Sequence, residues 1–234
     1  MNKIIKSLLP PIVVDIARKL KNTVIQQQNN TGGQYTNDPN KQDLDIYWTT
    51  DMANQLEEWG KNHTWIEIEC LLVNCKGKVL DIACGTGVNI KSLSKFPFLD
   101  LYGFDISDKL LEIAKLKGID SDRLRVMDAT KTNYEDNEFD YSYSIGSLEH
   151  FTDEGISLFL EECSRYTRVA GFHMIPVSED NEDHGWIVKG QSYFNNSIVW
   201  WLTKFEPHFS KVYVLDSGWK DHGVSIGKWF ICFK

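Results

Sequence analysis

The stretch GKVLDIACGTGVNIKSL, residues 77–93, decides how this chain can fold. A short apolar run containing Asp81 leads into a turn that holds Gly85 and Gly87, and a helical pattern follows. Open α/β sheets bind ligands beyond the carboxyl ends of their strands, where such turns lie. Glycines let the backbone approach a ligand closely and adopt positive φ. We therefore expect a ligand at this turn.

The remaining chain repeats the same alternation of strand and helix. Apolar strand patterns occur at 78–83, 99–105, 124–129, 139–145 and 170–177. Helical patterns lie between most of them, at 88–96, 107–117 and 153–167. This order predicts a mostly parallel sheet with helices on both faces. After a further helical pattern at about 192–206, the strand patterns at 211–217 and 225–234 predict a hairpin. That hairpin would add an antiparallel strand and complete a seven-stranded sheet.

Two familiar nucleotide-binding loops do not match the turn. A dinucleotide fingerprint requires G-x-G-x-x-G, and Ile90 stands where the third glycine belongs. The phosphate loop G-x-x-x-x-G-K-[ST] is also missing from the sequence. Both observations argue against a nicotinamide enzyme and a nucleoside triphosphatase.

The pattern that is present runs acidic-x-small-x-Gly-x-Gly, through Asp81, Ala83, Gly85 and Gly87. It resembles motif I of the class I S-adenosylmethionine-dependent methyltransferases, although Ala83 stands where glycine is more usual. Three further segments match in order: YGFDIS, VMDAT, and FDYSYSIGSLEHF at 139–151. The resemblance covers about residues 75–175 and implies the Rossmann-like fold of that family, with the terminal hairpin as its strand reversal.

The resemblance also implies the cofactor and its contacts. In the family, a carboxylate at the position of Asp105 binds both ribose hydroxyls, and Asp128 stands where the adenine amino group is contacted. Asp81 would lie near the sulfonium end, and Tyr47 and Trp48 would belong to an N-terminal helical lid at about 43–75. The full set expected to bind S-adenosylmethionine, and its product S-adenosylhomocysteine, is Tyr47, Trp48, Asp81, Ala83, Cys84, Gly85, Gly87, Asp105, Ile106, Asp128, Ala129 and Ile145.

Methyl transfer to a hydroxyl needs a base, and histidine has a suitable pKa. His150 is the first candidate, because it follows the fourth strand at the ligand-binding edge, with a structural histidine as the alternative. His184 and His222 lie in later loops on the same expected edge. His173, inside the fifth strand, is expected in the core. No metal site is predicted, since Gly146 stands where some relatives carry a metal-binding glutamate.

Tryptophans are frequent in the last third of the chain. A flat aromatic face could stack on a sugar ring, or the same side chain could fill the core. We expect Trp200 and Trp229 in the core, and Trp186 or Trp219 in a pocket.

Charge and composition bear on organisation and partners. The chain has 234 residues and a formal net charge of -8, which argues against a nucleic-acid partner. Five cysteines without CxxC spacing suit a cytoplasmic protein. We expect a basic amphipathic segment and polar linker at 1–42 and a methyltransferase domain at 43–234. Residues 1–21 could contact an anionic membrane surface, or pack on protein.

These observations predict a methyltransferase acting on a small-molecule acceptor. Loose similarity of the N-terminal segment to enzymes of bacterial surface-polysaccharide assembly favours O-methylation of a sugar or capsule precursor. The alternatives are methylation of another phosphorylated or amine metabolite, and a cofactor-binding partner domain without catalysis. The oligomeric state stays open.

Overall fold

The computed structural model describes residues 35–234, and Thr36–Lys234 form one compact unit. The amphipathic segment predicted at 1–21 and most of the predicted linker lie outside the described residues. Within 35–234, no helix is both long and apolar enough to cross a membrane.

Helices and strands alternate along this part of the chain. The helices are α1 Thr50–Leu56, α2 Thr64–Leu72, α3 Val88–Leu93, α4 Asp108–Leu116, α5 Asp153–Tyr166 and α6 Ile198–Phe205. The strands are β1 Gly77–Ile82, β2 Leu99–Asp105, β3 Leu124–Val126, β4 Phe139–Ile145, β5 Thr167–Ser178, β6 Trp186–Lys189, β7 Gln191–Phe194, β8 Lys211–Asp221 and β9 Ser225–Phe233. Short 3-10 turns lie at Leu44–Trp48, Ser121–Arg123 and Leu148–His150.

Seven strands form one sheet in the order β3-β2-β1-β4-β5-β9-β8. The pairs among β1 to β5 are parallel, and β9 is antiparallel to both β5 and β8. The predicted Rossmann-like fold with an antiparallel C-terminal hairpin strand is therefore confirmed. Because β1 to β5 run in the same direction, the turns that follow them meet at one edge of the sheet.

The two largest core clusters lie on opposite faces of this sheet, and a third, smaller cluster packs α3 and α4 near β2 and β3. On one face, Trp201 of α6 packs with Phe230 and the apolar side of α5. On the other face, Trp229 and Tyr143 pack with α2. His173 is fully buried, its Nδ1 lies 2.9 Å from Ser144 Oγ, and burial lowers its pKa to about 3. It therefore packs as a neutral core residue.

The structure corrects two predicted elements. The helix expected at about 192–206 begins only at Ile198, because β6 and β7 form a separate antiparallel hairpin around Gly190, whose φ is 76°. The helical stretch expected at 43–75 is divided into a 3-10 turn, α1 and α2. Asn62, with φ of 77°, lies in the break between α1 and α2 and cannot continue a right-handed helix.

Candidate active site

The turn after β1 has the backbone conformation that its small residues favour. Ala83, Gly85 and Gly87 all have positive φ, at 53°, 54° and 72°. A Cβ on Gly85 would lie 3.0 Å from Cδ1 of Leu56 in α1, so a side chain here would be strained and tightly packed. Gly87 then caps α3 at its N-terminus. The turn therefore packs closely under α1 at the edge of the sheet, with residues 84–87 buried.

Asp105 ends β2 beside this turn. Its Oδ2 accepts a hydrogen bond from the Gly85 N–H at 2.9 Å, and its Oδ1 accepts one from the Ser107 N–H at 2.9 Å. Burial raises the pKa of Asp105 to about 6, although the backbone donors oppose that shift. The carboxylate is thus largely ionised at pH 7 and fixed against the glycine turn.

The Asp105 cavity lies over these residues and encloses about 740 Å³, including the part open to solvent. Many of the residues predicted to bind the cofactor line it: Tyr47, Ala83, Gly85, Asp105, Ile106, Asp128, Ala129 and Ile145. The prediction omitted other lining residues, which include Gln42, Leu44, Met127, Ser147 and Phe151. Most of these omitted residues are apolar, and the sequence motifs that resemble the family do not identify them as contacts.

The other four predicted cofactor residues do not line the cavity. Asp81 and Cys84 are buried beneath the turn, and burial raises the pKa of both side chains. Asp81 Oδ2 has no hydrogen-bond partner among the described residues. Gly87 serves as the cap of α3, and Trp48 is partly exposed with its Nε1 donating to Asp108 at 2.8 Å.

The segment from Leu44 to Glu57 covers the Asp105 cavity and is tied down at several points. Ser107 Oγ donates to the Tyr47 carbonyl at 2.7 Å, and Lys109 Nζ donates to the Trp48 carbonyl at 3.1 Å. Glu57 accepts hydrogen bonds from Thr86 Oγ1 and Lys117 Nζ. These contacts hold the segment predicted as a lid against the glycine turn and α4.

A second cavity, the His150 cavity, adjoins the first. It encloses about 770 Å³, including open space, and shares Leu56, Ile145 and Gly146 with the Asp105 cavity. Its apolar and aromatic lining consists of Met52, Leu56, Trp59, Ile145, Pro176, Tyr193 and Trp219. Its polar lining includes Gln55, Glu149, His150, Lys189, Gln191 and Asp221. Such a mixture suits a small ligand with a flat apolar face and several polar groups.

His150 is held in one tautomer. Its Nδ1 lies 2.8 Å from the Ser192 carbonyl oxygen of β7. Because a carbonyl oxygen can only accept, Nδ1 carries the proton and Nε2 is left as an acceptor. Burial lowers the pKa of the imidazole, so it is neutral at pH 7. His150 therefore presents the protonation state that a general base requires.

Glu149 is buried next to it. Its side chain is 2 % exposed, Oε1 lies 3.8 Å from His150 Nε2, and Oε2 has no hydrogen-bond partner among the described residues. Burial raises the pKa of Glu149 to about 8, so the carboxyl group is mostly protonated at pH 7. A neutral carboxyl group in the lining can donate a hydrogen bond to a ligand.

The structure does not bring His184 or His222 into either cavity. His184 is exposed, and its Nε2 lies 2.9 and 3.0 Å from the two carboxylate oxygens of Asp180. His222 is exposed in the turn between β8 and β9, beyond the lining residue Asp221. Among the three predicted bases, only His150 lines the cleft.

Of the two tryptophans predicted for a pocket, Trp219 lines a cavity and Trp186 does not. Trp219 lines the His150 cavity and packs against Trp59, with ring centroids 5.1 Å apart. Trp186 lines neither cavity and donates its Nε1 hydrogen to the Thr36 carbonyl at 3.0 Å. Trp229 is buried in the core on one face of the sheet. Trp200 is only partly buried and packs against the core on the other face, with its ring 4.9 Å from that of Trp201.

Comparisons with known proteins agree with this geometry. Residues 80–175 match a methyltransferase domain. Over 124 residues the chain is 32 % identical to the demethylmenaquinone methyltransferase of Thermotoga maritima, covering 52 % of this chain and 53 % of the relative. The chain thus spans about half the length of the curated relatives it matches.

Solved structures show the same fold at low sequence identity. The PH0226 protein of Pyrococcus horikoshii superposes with a TM-score of 0.57 at 19 % identity, covering 80 % of this chain and 93 % of that one. A SAM-dependent methyltransferase from Aquifex aeolicus gives a TM-score of 0.56 at 18 % identity, covering 78 % and 97 %. The fold is therefore the Rossmann-like fold of these structures.

The residues of the Asp105 cavity fit S-adenosylmethionine as the cofactor. The Asp105 carboxylate can accept two ribose hydroxyls. Ala83 and Gly85 of the glycine turn line the cavity, so their backbone can contact a ligand there, and Asp81 is buried below the turn. The space is large enough for a nucleoside with an amino-acid side chain.

Proposed function

We propose that this protein is an S-adenosylmethionine-dependent methyltransferase that acts on a small-molecule acceptor. The observation that carries the proposal is the adjacency of the two cavities, which meet at Leu56, Ile145 and Gly146. Asp105 lines one cavity and His150 lines the other. A cofactor in the first and an acceptor in the second would approach each other at this shared wall.

Alignment is the main contribution of such a site to methyl transfer. The sulfonium is already a good leaving group, so the acceptor atom must be held behind the methyl carbon in line with the sulfur–carbon bond. Holding reactants in this geometry can supply about 7–11 kcal/mol of barrier reduction. When bound, S-adenosylmethionine supplies the electrophilic methyl group. The segment Leu44–Glu57 would exclude water from the reacting atoms.

His150 would act as the general base for a hydroxyl acceptor. Its Nε2 lone pair would accept the hydroxyl proton while the oxygen forms its bond to the methyl carbon. The Ser192 carbonyl keeps the proton on Nδ1 and would stabilise the imidazolium that results. A positioned base of this kind contributes a factor of about 10²–10⁴ to the rate.

For the acceptor we propose a sugar or a sugar-containing precursor of a surface polysaccharide. The Trp59 and Trp219 rings offer flat apolar surface, while Gln55, Gln191 and Asp221 offer partners for ring hydroxyls. A second candidate is an aromatic ring such as a quinol, because curated relatives are demethylmenaquinone methyltransferases and the same rings would accept it. Another phosphorylated or amine metabolite is a third.

We also propose that the protein works in the cytoplasm, with residues 1–21 able to contact the inner membrane surface. Five basic side chains in this segment support the proposal. Sedimentation with anionic liposomes would compare the full chain with a variant that lacks residues 1–21. Equal sedimentation of the two forms would contradict the contact.

The function is tested by incubating the protein with methyl-labelled S-adenosylmethionine and separate pools of nucleotide sugars, sugar phosphates, quinols and amines. Asp105→Ala is the test variant. Asp100→Asn is the matched control, because Asp100 lies at the opposite end of the same strand and pairs with Arg123. Labelling of a sugar pool by the wild type, and its loss in Asp105→Ala, would support the sugar acceptor. Label in the quinol pool would replace it, and binding of cofactor without transfer to any pool would favour a partner domain.

A further inference from the structure

Strand β8 contains an irregularity beside the His150 cavity. Asp216 pairs with Lys228, but the next pair is Lys220 with Ile226, so three residues of β8 lie opposite the single residue Gly227. Glycine is required there, because a Cβ on Gly227 would lie 2.8 Å from Ser217 Cβ. Bulges of this kind commonly redirect a side chain next to a functional site.

Glu67 of α2 holds this bulge. Its Oε2 accepts hydrogen bonds from Ser217 Oγ and from Trp229 Nε1, each at 2.7 Å. Its Oε1 accepts the Gly218 N–H at 2.6 Å. One carboxylate therefore connects the helix, both strands of the hairpin and the bulge, and hydrogen bonds to a charged group are stronger than neutral ones.

Trp219 is the last of the three bulged residues, and its N–H donates to Ser217 Oγ at 3.1 Å. Its indole packs against that of Trp59 at 5.1 Å between centroids, and both rings line the His150 cavity. Trp59 in turn lies over Gly146, at the wall shared by the two cavities, since a Cβ on Gly146 would be 2.6 Å from Trp59 Cη2. Displacement of Trp219 would thus alter the ring surface closest to the shared wall.

We propose that Glu67 is a positioning residue for acceptor selection: it fixes the β8 bulge so that Trp219 and Trp59 together form the aromatic wall of the acceptor site. This inference rests on the proposed function in taking the His150 cavity as the acceptor site. It goes further by assigning ring recognition to a side chain outside the cavity. A cyclic acceptor that stacks on this wall should depend on Glu67, while the cofactor should not.

The test compares Glu67→Gln with Glu69→Gln. Glu69 lies on the same helix and also bridges to other elements, through Ser92 and Lys95, but it is remote from the bulge. In Glu67→Gln, the amide would place a donor against at least one N–H or O–H that the carboxylate now accepts. For the acceptor that takes up label, we expect KM to rise about tenfold, with kcat within about threefold and S-adenosylhomocysteine affinity unchanged. Glu69→Gln should leave all three unchanged.

A spectroscopic measurement keeps the inference testable without any acceptor. Two indoles 5.1 Å apart, such as Trp59 and Trp219, give a coupled signal in far-ultraviolet circular dichroism. The spectrum of Trp219→Leu minus that of the wild type isolates this signal from the one that the Trp200–Trp201 pair contributes to both proteins. Glu67→Gln should reproduce most of that difference spectrum and Glu69→Gln should not. If Glu67→Gln fails to fold, Glu67→Asp shortens the side chain by one methylene, keeps Ser217 and its hydrogen bond from the Trp219 N–H intact, and should reproduce part of the difference spectrum.

The outcomes separate this inference from the proposed function. A wild-type signal in Glu67→Gln, or an unchanged KM in Trp219→Leu, would overturn the positioning role even if methyl transfer is observed. Loss of the signal in Glu67→Gln without any transfer by the wild type would support the role of Glu67 in placing Trp219 and would count against the proposed function.

Discussion

Replacing Glu149 with glutamine should reduce the loss of folding stability that accompanies a rise in pH from 4.5 to 8. Burial raises the pKa of the Glu149 carboxyl group from its ordinary value of 4.5 to about 8 in the folded protein. Between these values the unfolded chain has released a proton that the folded chain retains. Stability therefore falls as pH rises from 4.5 to 8, because ionisation of Glu149 favours the unfolded state.

The magnitude follows from that interval. Each unit of pKa difference corresponds to about 1.4 kcal/mol, so the full interval costs the wild type about 5 kcal/mol once the pH is well above 8. A glutamine of the same shape has no proton to release. The free energy of unfolding of Glu149→Gln, relative to wild type, should thus increase by about 3–4 kcal/mol between pH 5 and pH 8, because each form is only half titrated at its own pKa. A pH-independent offset from burying the amide would shift the whole difference curve without changing its slope.

Urea unfolding of the cofactor-free protein at pH 5, 6, 7 and 8, followed by tryptophan fluorescence, would measure this difference. Glu154→Gln is the matched control, because Glu154 is a nearby glutamate exposed in the first turn of α5. Its difference from wild type should vary by less than about 1 kcal/mol over the same range. A difference curve for Glu149→Gln as flat as the control would refute the reasoning, since Glu149 would then be ionised in the folded protein.

Three further predictions follow from the two cavities. Asp105→Asn should weaken S-adenosylhomocysteine binding about 100-fold, as measured by calorimetry. The new amide would place a donor against a backbone N–H, and the charged carboxylate that accepts the ribose hydroxyls would be lost. An unchanged Kd would contradict this role. His150→Gln should lower kcat by about 10²–10⁴-fold without changing the affinity for S-adenosylhomocysteine. The kcat of the wild type should rise with pH through a pKa below 6.5, because burial lowers the pKa of His150. The same pH dependence of kcat in both proteins would exclude His150 as the base. Gly146→Ala should lower the free energy of unfolding, measured by urea titration, by about 1–3 kcal/mol. The φ of Gly146 is 63°, and the new Cβ would clash with Trp59. An unchanged free energy of unfolding would show that the backbone and Trp59 both adjust to the new side chain.

The cofactor half of the site could be predicted from the sequence because it is built from short contiguous segments. Gly85 and Gly87 adopt positive φ in the turn that their spacing indicated, and Asp105 lies where its strand ends. The sheet order follows from the same alternation of strands and helices. These features depend on local backbone conformation and on burial of apolar strands, both of which leave a direct pattern in the residues.

The His150 cavity could not be assembled in this way. Its lining comes from α1, the turn after β4, β5, the β6–β7 hairpin and the end of β8, and no local pattern states that these segments meet. The hairpin did leave a signal, since WIVK and QSYF are rich in strand-forming residues around Gly190. A helical interpretation of residues 192–206 masked it, because the aromatic residues there also fit a helical spacing.

The hairpin that the sequence left unidentified connects the two halves of the site. Ser192 of β7 accepts the Nδ1 hydrogen of His150 through its carbonyl, while its hydroxyl donates to Asp43 at 2.6 Å. Asp43 immediately precedes the turn that covers the Asp105 cavity, and Gln42 beside it donates to the His150 carbonyl at 3.3 Å. Movement of the covering segment would therefore disturb the residue that fixes the tautomer of the proposed base. Ser192 thus belongs both to the hydrogen bonds that hold the covering segment and to the one that fixes the His150 tautomer, so the two sets form one connected network.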